Sequence, residues 1–221
     1  MRKIIACEFI SMDGVIQSPG GPQEDTTGGF KWGGWTVHYW DDIMNEAMNK
    51  QLGEPYDLLL GRFTYDIFAA HWPYQENDPM AETFDRIKKY VVSTKNIDLP
   101  WQNSVLIKGD VINQLKAIKN QDAPDLIIFG SSKLVQTLLD NQLIDVLQTW
   151  IFPITLGKGK KLFSETGPAA QWKLTNSIAA TTGTSINTYV PDGEVKTGEM
   201  ESIKTSDAEL ARREQVEKEN L

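Results

Sequence analysis

The sequence predicts an α/β fold on a mainly parallel twisted sheet that finishes with an antiparallel C-terminal hairpin. Three observations carry that prediction. Short apolar runs closed by glycine or polar turns alternate with helix-period segments through the middle of the chain. The last strands before Pro191 follow one another with no helix between them. The 221 residues, 40% apolar and 10% aromatic, suffice for one ordinary domain with a real core.

Lys3 to Ser11 reads as the first strand, ended by the turn signal Met12-Asp13-Gly14. From Gly14 to Gly34 the chain is loop-like, and a connection that long is usually functional or mobile. Phe30, Trp32, Trp35, Tyr39 and Trp40 fall within eleven residues. Flat apolar side chains can sandwich a planar heterocycle or pack a lid or subunit contact, and both readings stay open. Tyr39 to Leu52 has a partly helical period. Asp57 to Leu60 is an apolar run too brief for a helix, and Gly61 turns it into a helix from Phe63 to Ala70, stopped by Trp72-Pro73. Asp78-Pro79 starts another helix with an N-cap and proline at its first position.

Tyr90 to Val92, Asn103 to Lys108 and Asp125 to Phe129 are further strands. A helix from the Gly109-Asp110 cap to Lys119 separates the last two, and another, with Leu134, Val135, Leu138 and Leu139 inward, follows the third. Asp145 to Pro153, Gln171 to Thr181 and Thr184 to Val190 complete the sheet, the last two joined at Thr182-Gly183. The folded domain is expected over residues 1–191. Residues 192–221 form a charged tail with no aromatic residue, nine acidic and five basic side chains. Its Ser206-Asp207-Ala208-Glu209 segment fits a capping box, and Glu209/Arg213 and Glu214/Lys218 fit helical ion pairs.

The net charge of −8 argues against a nucleic-acid surface, which needs clustered Lys and Arg. One cysteine, Cys7, leaves no internal disulfide or thiolate cage, and His38 and His71 show no metal-binding spacing. No metal site is expected. Glu8 interrupts the first apolar run, so the start reads as a strand and not a signal peptide, and no stretch is long enough to span a bilayer. A soluble cytoplasmic protein is the expectation.

Ligands of open α/β sheets bind beyond the carboxyl ends of the strands. Three such ends carry anion-friendly chemistry. Gly61, Arg62 and Thr64 combine a turn glycine, a guanidinium and a hydroxyl at a helix start. Ser93, Thr94 and Lys95 offer two hydroxyls and an ammonium. Gly130, Ser131 and Ser132 repeat the glycine turn. Together they suit a phosphate-rich dinucleotide. With no acidic residue at the Ser93–Lys95 end to hold a free ribose hydroxyl, NADP is favoured over NAD. Gly157-Lys158-Gly159-Lys160-Lys161 has the composition of a phosphate loop but lacks its spacing, and reads as a turn with solvated lysines. Ser131-Ser132 has no histidine near it in sequence, which speaks against a serine hydrolase.

The segments FISMDGVI, LLLGRFTYDIFAAHWP, KYVVSTKN, DLIIFGSSKLVQTLLDNQLID and WIFPITLGKGKKLF resemble the dihydrofolate reductase-like family. More closely, they are similar to the reductase (C-terminal) domain of the riboflavin-biosynthesis deaminase–reductase and its stand-alone members. They span Arg2 to about Val190. The resemblance implies a three-layer α/β/α fold and NADPH-dependent hydride transfer to a small planar pterin-like, pyrimidine-like or related substrate. By it, Gly61, Arg62 and Thr64 touch the pyrophosphate, Ser93, Thr94 and Lys95 the adenosine 2′-phosphate side, and Gly130, Ser131, Ser132 and Leu134 the other face of NADP(H). It also implies Asp13 beside the nicotinamide as substrate contact or proton relay, Asp41 near the substrate, and a homodimer; of the aromatic residues above, Trp35 is the candidate substrate contact. Dihydrofolate reductases carry two consecutive glycines where this chain has Gly130-Ser131. The alternative is a nucleotide-binding or regulatory protein of the same fold without turnover. A third reading makes the aromatic segment and the tail assembly surfaces, with no nucleotide bound.

Overall fold

Strand β1 (Ile4–Ser11) runs through the interior of an eight-stranded sheet, and its side chains say why. Ile4, Ala6 and Ile10 enter an aliphatic cluster on one face, while Cys7 enters an aromatic-rich cluster on the other. A strand covered on both faces needs apolar residues at both parities. The exception is Glu8, which is 1% exposed.

The computed structural model describes residues 1–198 and 205–219. The part of the expected tail outside those ranges lies beyond the described residues. The remaining strands are β2 (Tyr56–Gly61), β3 (Lys89–Val92), β4 (Ser104–Ile107), β5 (Asp125–Ile128), β6 (Val146–Phe152), β7 (Trp172–Ala179) and β8 (Ser185–Pro191). Their spatial order is β4-β3-β2-β5-β1-β6-β8-β7. The first six in that order pair in parallel; β6–β8 and β8–β7 are antiparallel. The expected closing hairpin is present, turned at Gly183, whose φ of +91° suits glycine.

Five helices follow strands or connect them: α1 (Asp42–Gln51), α2 (Arg62–His71), α3 (Pro79–Arg86), α4 (Val111–Lys119) and α5 (Ser132–Asp140). α1, α2 and α3 bury Met44, Met48, Tyr65 and Phe84 against one sheet face. α4 and α5 bury Leu115, Leu134, Val135 and Leu138 against the other, which makes three layers. α1 begins three residues later than its period suggests. Asp41 is extended and its carboxylate accepts Met44 N–H, so the helix starts there and Val37–Tyr39 forms a separate short turn. In the tail, α6 (Asp207–Glu219) opens with Ser206 accepting Glu209 N–H at 3.2 Å. Glu209 pairs with Arg212 and Arg213, and no residue of α6 is buried. Among the described residues, no helix is long and apolar enough to cross a membrane.

Candidate functional site

The ladder between β1 and β5 covers only Ile4 to Ala6, whereas β1 stays paired with β6 as far as Ser11 and Phe152. Beyond Ala6 the two central strands part. From its carboxyl end β1 leads, through α1 on the aromatic face, to β2 on one side. From its own end β5 leads, through α5 on the aliphatic face, to β6 on the other. Neighbouring strands whose connections leave in opposite directions define the switch point where open α/β sheets bind ligands. Because β3, β2, β5 and β1 are parallel neighbours, the ends carrying Ser93–Lys95, Gly61–Thr64, Gly130–Ser132 and Asp13 share this edge.

Two of these ends touch. Gly61 packs so closely on the β5 turn that a Cβ there would lie 1.9 Å from Ser131 Oγ and 3.8 Å from Leu134 Cβ. Gly130 and Ser131 both adopt left-handed backbone, φ 74° and 78°. Ser131 thus holds a left-handed position although it is not glycine, a conformation that costs a non-glycine residue about 1–2 kcal/mol. The helices starting at these ends, α2 and α5, have no side-chain cap, whereas Asp41, Asp78 and Asp110 cap α1, α3 and α4. Free N–H groups and the positive helix end are thus left open at adjacent strand ends.

The other predicted binders fall as follows. Thr64 is buried one turn into α2. Arg62 holds Asp66 at 2.7 Å and lies over the Phe63 ring, with both charges partly exposed. Such a surface pair is worth about 0–1 kcal/mol, so the guanidinium is available to a stronger anion. Ser93 is buried and its hydroxyl accepts Lys95 N–H at 3.1 Å, which curls the chain after β3; Thr94 and Lys95 are exposed.

Asp13, Trp35 and Asp41 each have partners within the protein. Asp13 accepts from Ser11 Oγ (2.6 Å), Leu156 N (3.0 Å) and Gly157 N (2.7 Å). Slight desolvation works to raise its pKa, but these bonds outweigh it and hold the carboxyl below the usual range. That carboxylate anchors the loop after β6 and is poorly suited to donating a proton. Trp35 is 6% exposed, donates its indole N–H to Gln17 O and packs edge-on against Phe152, so it belongs to the core. Asp41 caps α1 and accepts both the Thr181 N–H and hydroxyl at 2.7 Å; the Thr181 hydroxyl is the main cause of its lowered pKa. Its oxygens clamp the β7–β8 turn.

The glycine-rich segment 14–34 is also tied down. Gln17 donates to the Asp25 and Thr27 carbonyls and accepts Lys160 N–H, and Lys160 Nζ pairs with Asp25 at 2.5 Å. Lys160 is therefore no free surface lysine; Lys158 and Lys161 are exposed, as expected. Between this segment and α2 lies a crevice of about 520 Å³, lined by Glu24, Asp25, Phe63, Asp66, Ile67 and His71 among others. A smaller one of about 270 Å³ sits between the segment and Lys158–Lys160. Neither is lined by Ser93, Gly130 or Ser131; both flank the strand ends. Phe63, Ile67 and His71 were missed by sequence reasoning, although their four-residue spacing after the turn marks one helix stripe.

Fold and strand-end layout define a dihydrofolate reductase-like α/β protein. The chain belongs to the RibD C-terminal domain family, which it matches over residues 2–186. It is 24% identical over 186 residues to the uncharacterized protein YyaP of Bacillus subtilis (strain 168), covering 82% of this chain and 91% of that one. Dihydrofolate reductase from Enterococcus faecalis, solved with NADP(H), superposes with a TM-score of 0.56 at 16% identity over 86% of this chain and 97% of that one. A pyrimidine reductase-like protein from Corynebacterium diphtheriae gives 0.57 at 10% identity, covering 87% and 93%.

Proposed function

We propose that the chain is an NADPH-dependent reductase that passes a hydride to a small planar substrate of pterin, pyrimidine or related type. The observation that carries this reading is the pair of uncapped helix starts, α2 and α5, at touching strand ends beside the central split. Their N–H groups and Arg62 would hold the pyrophosphate, and Ser93, Thr94 and Lys95 the 2′-phosphate. The NADP(H) bound in the E. faecalis relative supports the same choice of cofactor. A bound NADPH supplies the hydride. The chain's own work is to fix that group at the split, to keep water from it, and to bind the acceptor. The crevice beside Phe63, Ile67 and His71 is the substrate hollow in this reading; its volume lies within the usual range for ligand sites. Asp13 serves as a charged anchor, so the substrate's proton comes from water or another group. The homodimer implied by the resemblance and the expected cytoplasmic location belong to this same reading.

Arg62→Ala is expected to weaken NADPH binding about tenfold or more, given ~1.5–3 kcal/mol for a charge-assisted bond. Fluorescence titration measures it, and unchanged affinity would remove Arg62 from the site. NADPH that binds but is not oxidised across a panel of pterins, pyrimidines and quinones would favour the non-catalytic alternative.

A further inference from the structure

Resting on that reading of the strand ends, we propose that Glu8 is a proton-linked positioning residue for the dinucleotide: its carboxyl bridges the split between β1 and β5, and the Gly130–Ser132 turn accepts an anion well only while that carboxyl is uncharged. Glu8 sits two residues past the point where the β1–β5 ladder stops, and its Oε1 accepts Gly130 N–H at 3.2 Å. It is thus the side chain that spans the gap at the switch point. One of the turn's N–H groups is already committed to it.

A second observation concerns the same face of the sheet. Glu8 is in register with Thr149 of β6, Thr149 with Asn187 of β8, and Asn187 with Ser177 of β7. Paired residues project to one face, so a polar row crosses four strands that otherwise give this face Ile4, Ala6, Ile10, Leu147 and Ile151. Its outer end is exposed: Ser177 Oγ donates to Asn187 Oδ1 at 2.7 Å. Its inner end is buried, and the Thr149 hydroxyl there has no hydrogen-bond partner among the described residues. This free hydroxyl is in register with Glu8 on the β6 side, opposite the Gly130 bond, and is the group an ionised Glu8 would turn to, and the row leads outward to solvent.

Few charges oppose or favour that ionisation. β6 has no titratable side chain, α5 has only the exposed Lys133 and Asp140, and β5 has Asp125 at its far end. Cys7, adjacent in β1 but on the opposite face, feels Glu8's charge, and its own pKa is raised chiefly by burial. Desolvation dominates and pushes the Glu8 pKa up to about 8, against the opposing bond from Gly130. Below that pH the carboxyl is neutral and the turn keeps its positive character. Above it, a negative charge lies under the place where phosphate must sit.

Isothermal titration of NADPH from pH 6.5 to 9.5 tests this on the full chain. The wild type is expected to lose affinity above about pH 8, approaching tenfold per unit, and to take up a proton on binding there, read from buffers of different ionisation enthalpy. Glu8→Gln keeps an acceptor for Gly130 N–H but cannot ionise, so its affinity should stay level across the range. Lys89, held down to about 8 by burial, titrates in the same window; it is present in both proteins, so it cannot separate them. Equal pH dependence in wild type and E8Q would overturn the role of Glu8 and leave the cofactor assignment standing. Absence of NADPH binding to either at any pH would overturn both.

Discussion

Gly61→Ala is expected to destabilise the protein by about 2–3 kcal/mol and to abolish measurable NADPH binding, and Ser131→Gly is expected to restore much of both. The backbone at Gly61, φ −75° and ψ 155°, is open to any residue, so the defect is purely one of space. The new methyl would lie 1.9 Å from Ser131 Oγ and 2.8 Å from Ser131 Cβ. Rotating the hydroxyl relieves the first contact but not the second, so the ends of β2 and β5 must part. Removing the Ser131 side chain removes both contacts and also releases its left-handed φ of 78° from strain. That relief is offset in part by the greater chain entropy of glycine when unfolded, so S131G alone should change stability little. Ser131→Ala keeps the Cβ and should fail to rescue. Denaturant midpoints for the single and double variants, with NADPH titration of each, decide the matter. A G61A protein as stable as wild type would mean that the two strand ends do not meet as described.

The elements of this fold were legible where a local rule acts alone. Asp57 to Leu60 announces a buried strand by its unbroken apolar run, and Asp78-Pro79 and Gly109-Asp110 announce helix starts through their caps. The start of α1 was less so, because Tyr39 and Trp40 fit a helical period equally well. What stops the helix there is Asp41, held extended while it caps α1 and binds Thr181, which lies 140 residues away in sequence. The insertion of β5 between β2 and β1 is a tertiary fact that no local pattern encodes.

The site divides along the same line. Glycines, hydroxyls and cations at strand ends are local chemistry, and the parallel topology brings them to one edge. The carboxylates are harder to read, because their partners lie far away in sequence. Asp13 is claimed by Leu156 and Gly157, and Asp41 by Thr181, contacts invisible in sequence. Glu8 did leave a trace: a charge inside an otherwise apolar strand. The same charge that speaks against a signal peptide is also what a buried functional carboxyl looks like in sequence.

Asp57→Ala is expected to cost about 3–5 kcal/mol, the largest loss among single changes away from the strand ends. Arg2, 1% exposed, places its guanidinium against Asp57 at 2.5 Å and also binds the Tyr90 hydroxyl and the Pro124 carbonyl. Its bonds therefore link the amino-terminal entry to β1 with β2, β3 and the start of β5, the strands whose opposite ends form the candidate site. Deleting the carboxylate leaves a buried positive charge without its counter-ion and also frees Lys88 N–H, which Asp57 accepts at 3.2 Å. Folded proteins hold only about 5–15 kcal/mol in reserve, so D57A should unfold at much lower denaturant. The pair itself is a different matter, since removing two charges from the interior removes two desolvation costs. Arg2→Met with Asp57→Leu should thus lose far less than D57A alone. Urea midpoints at constant slope distinguish these outcomes. A double variant as unstable as the sum of the two single changes would mean that the ion pair, and not merely the avoidance of a lone buried charge, ties these strands together.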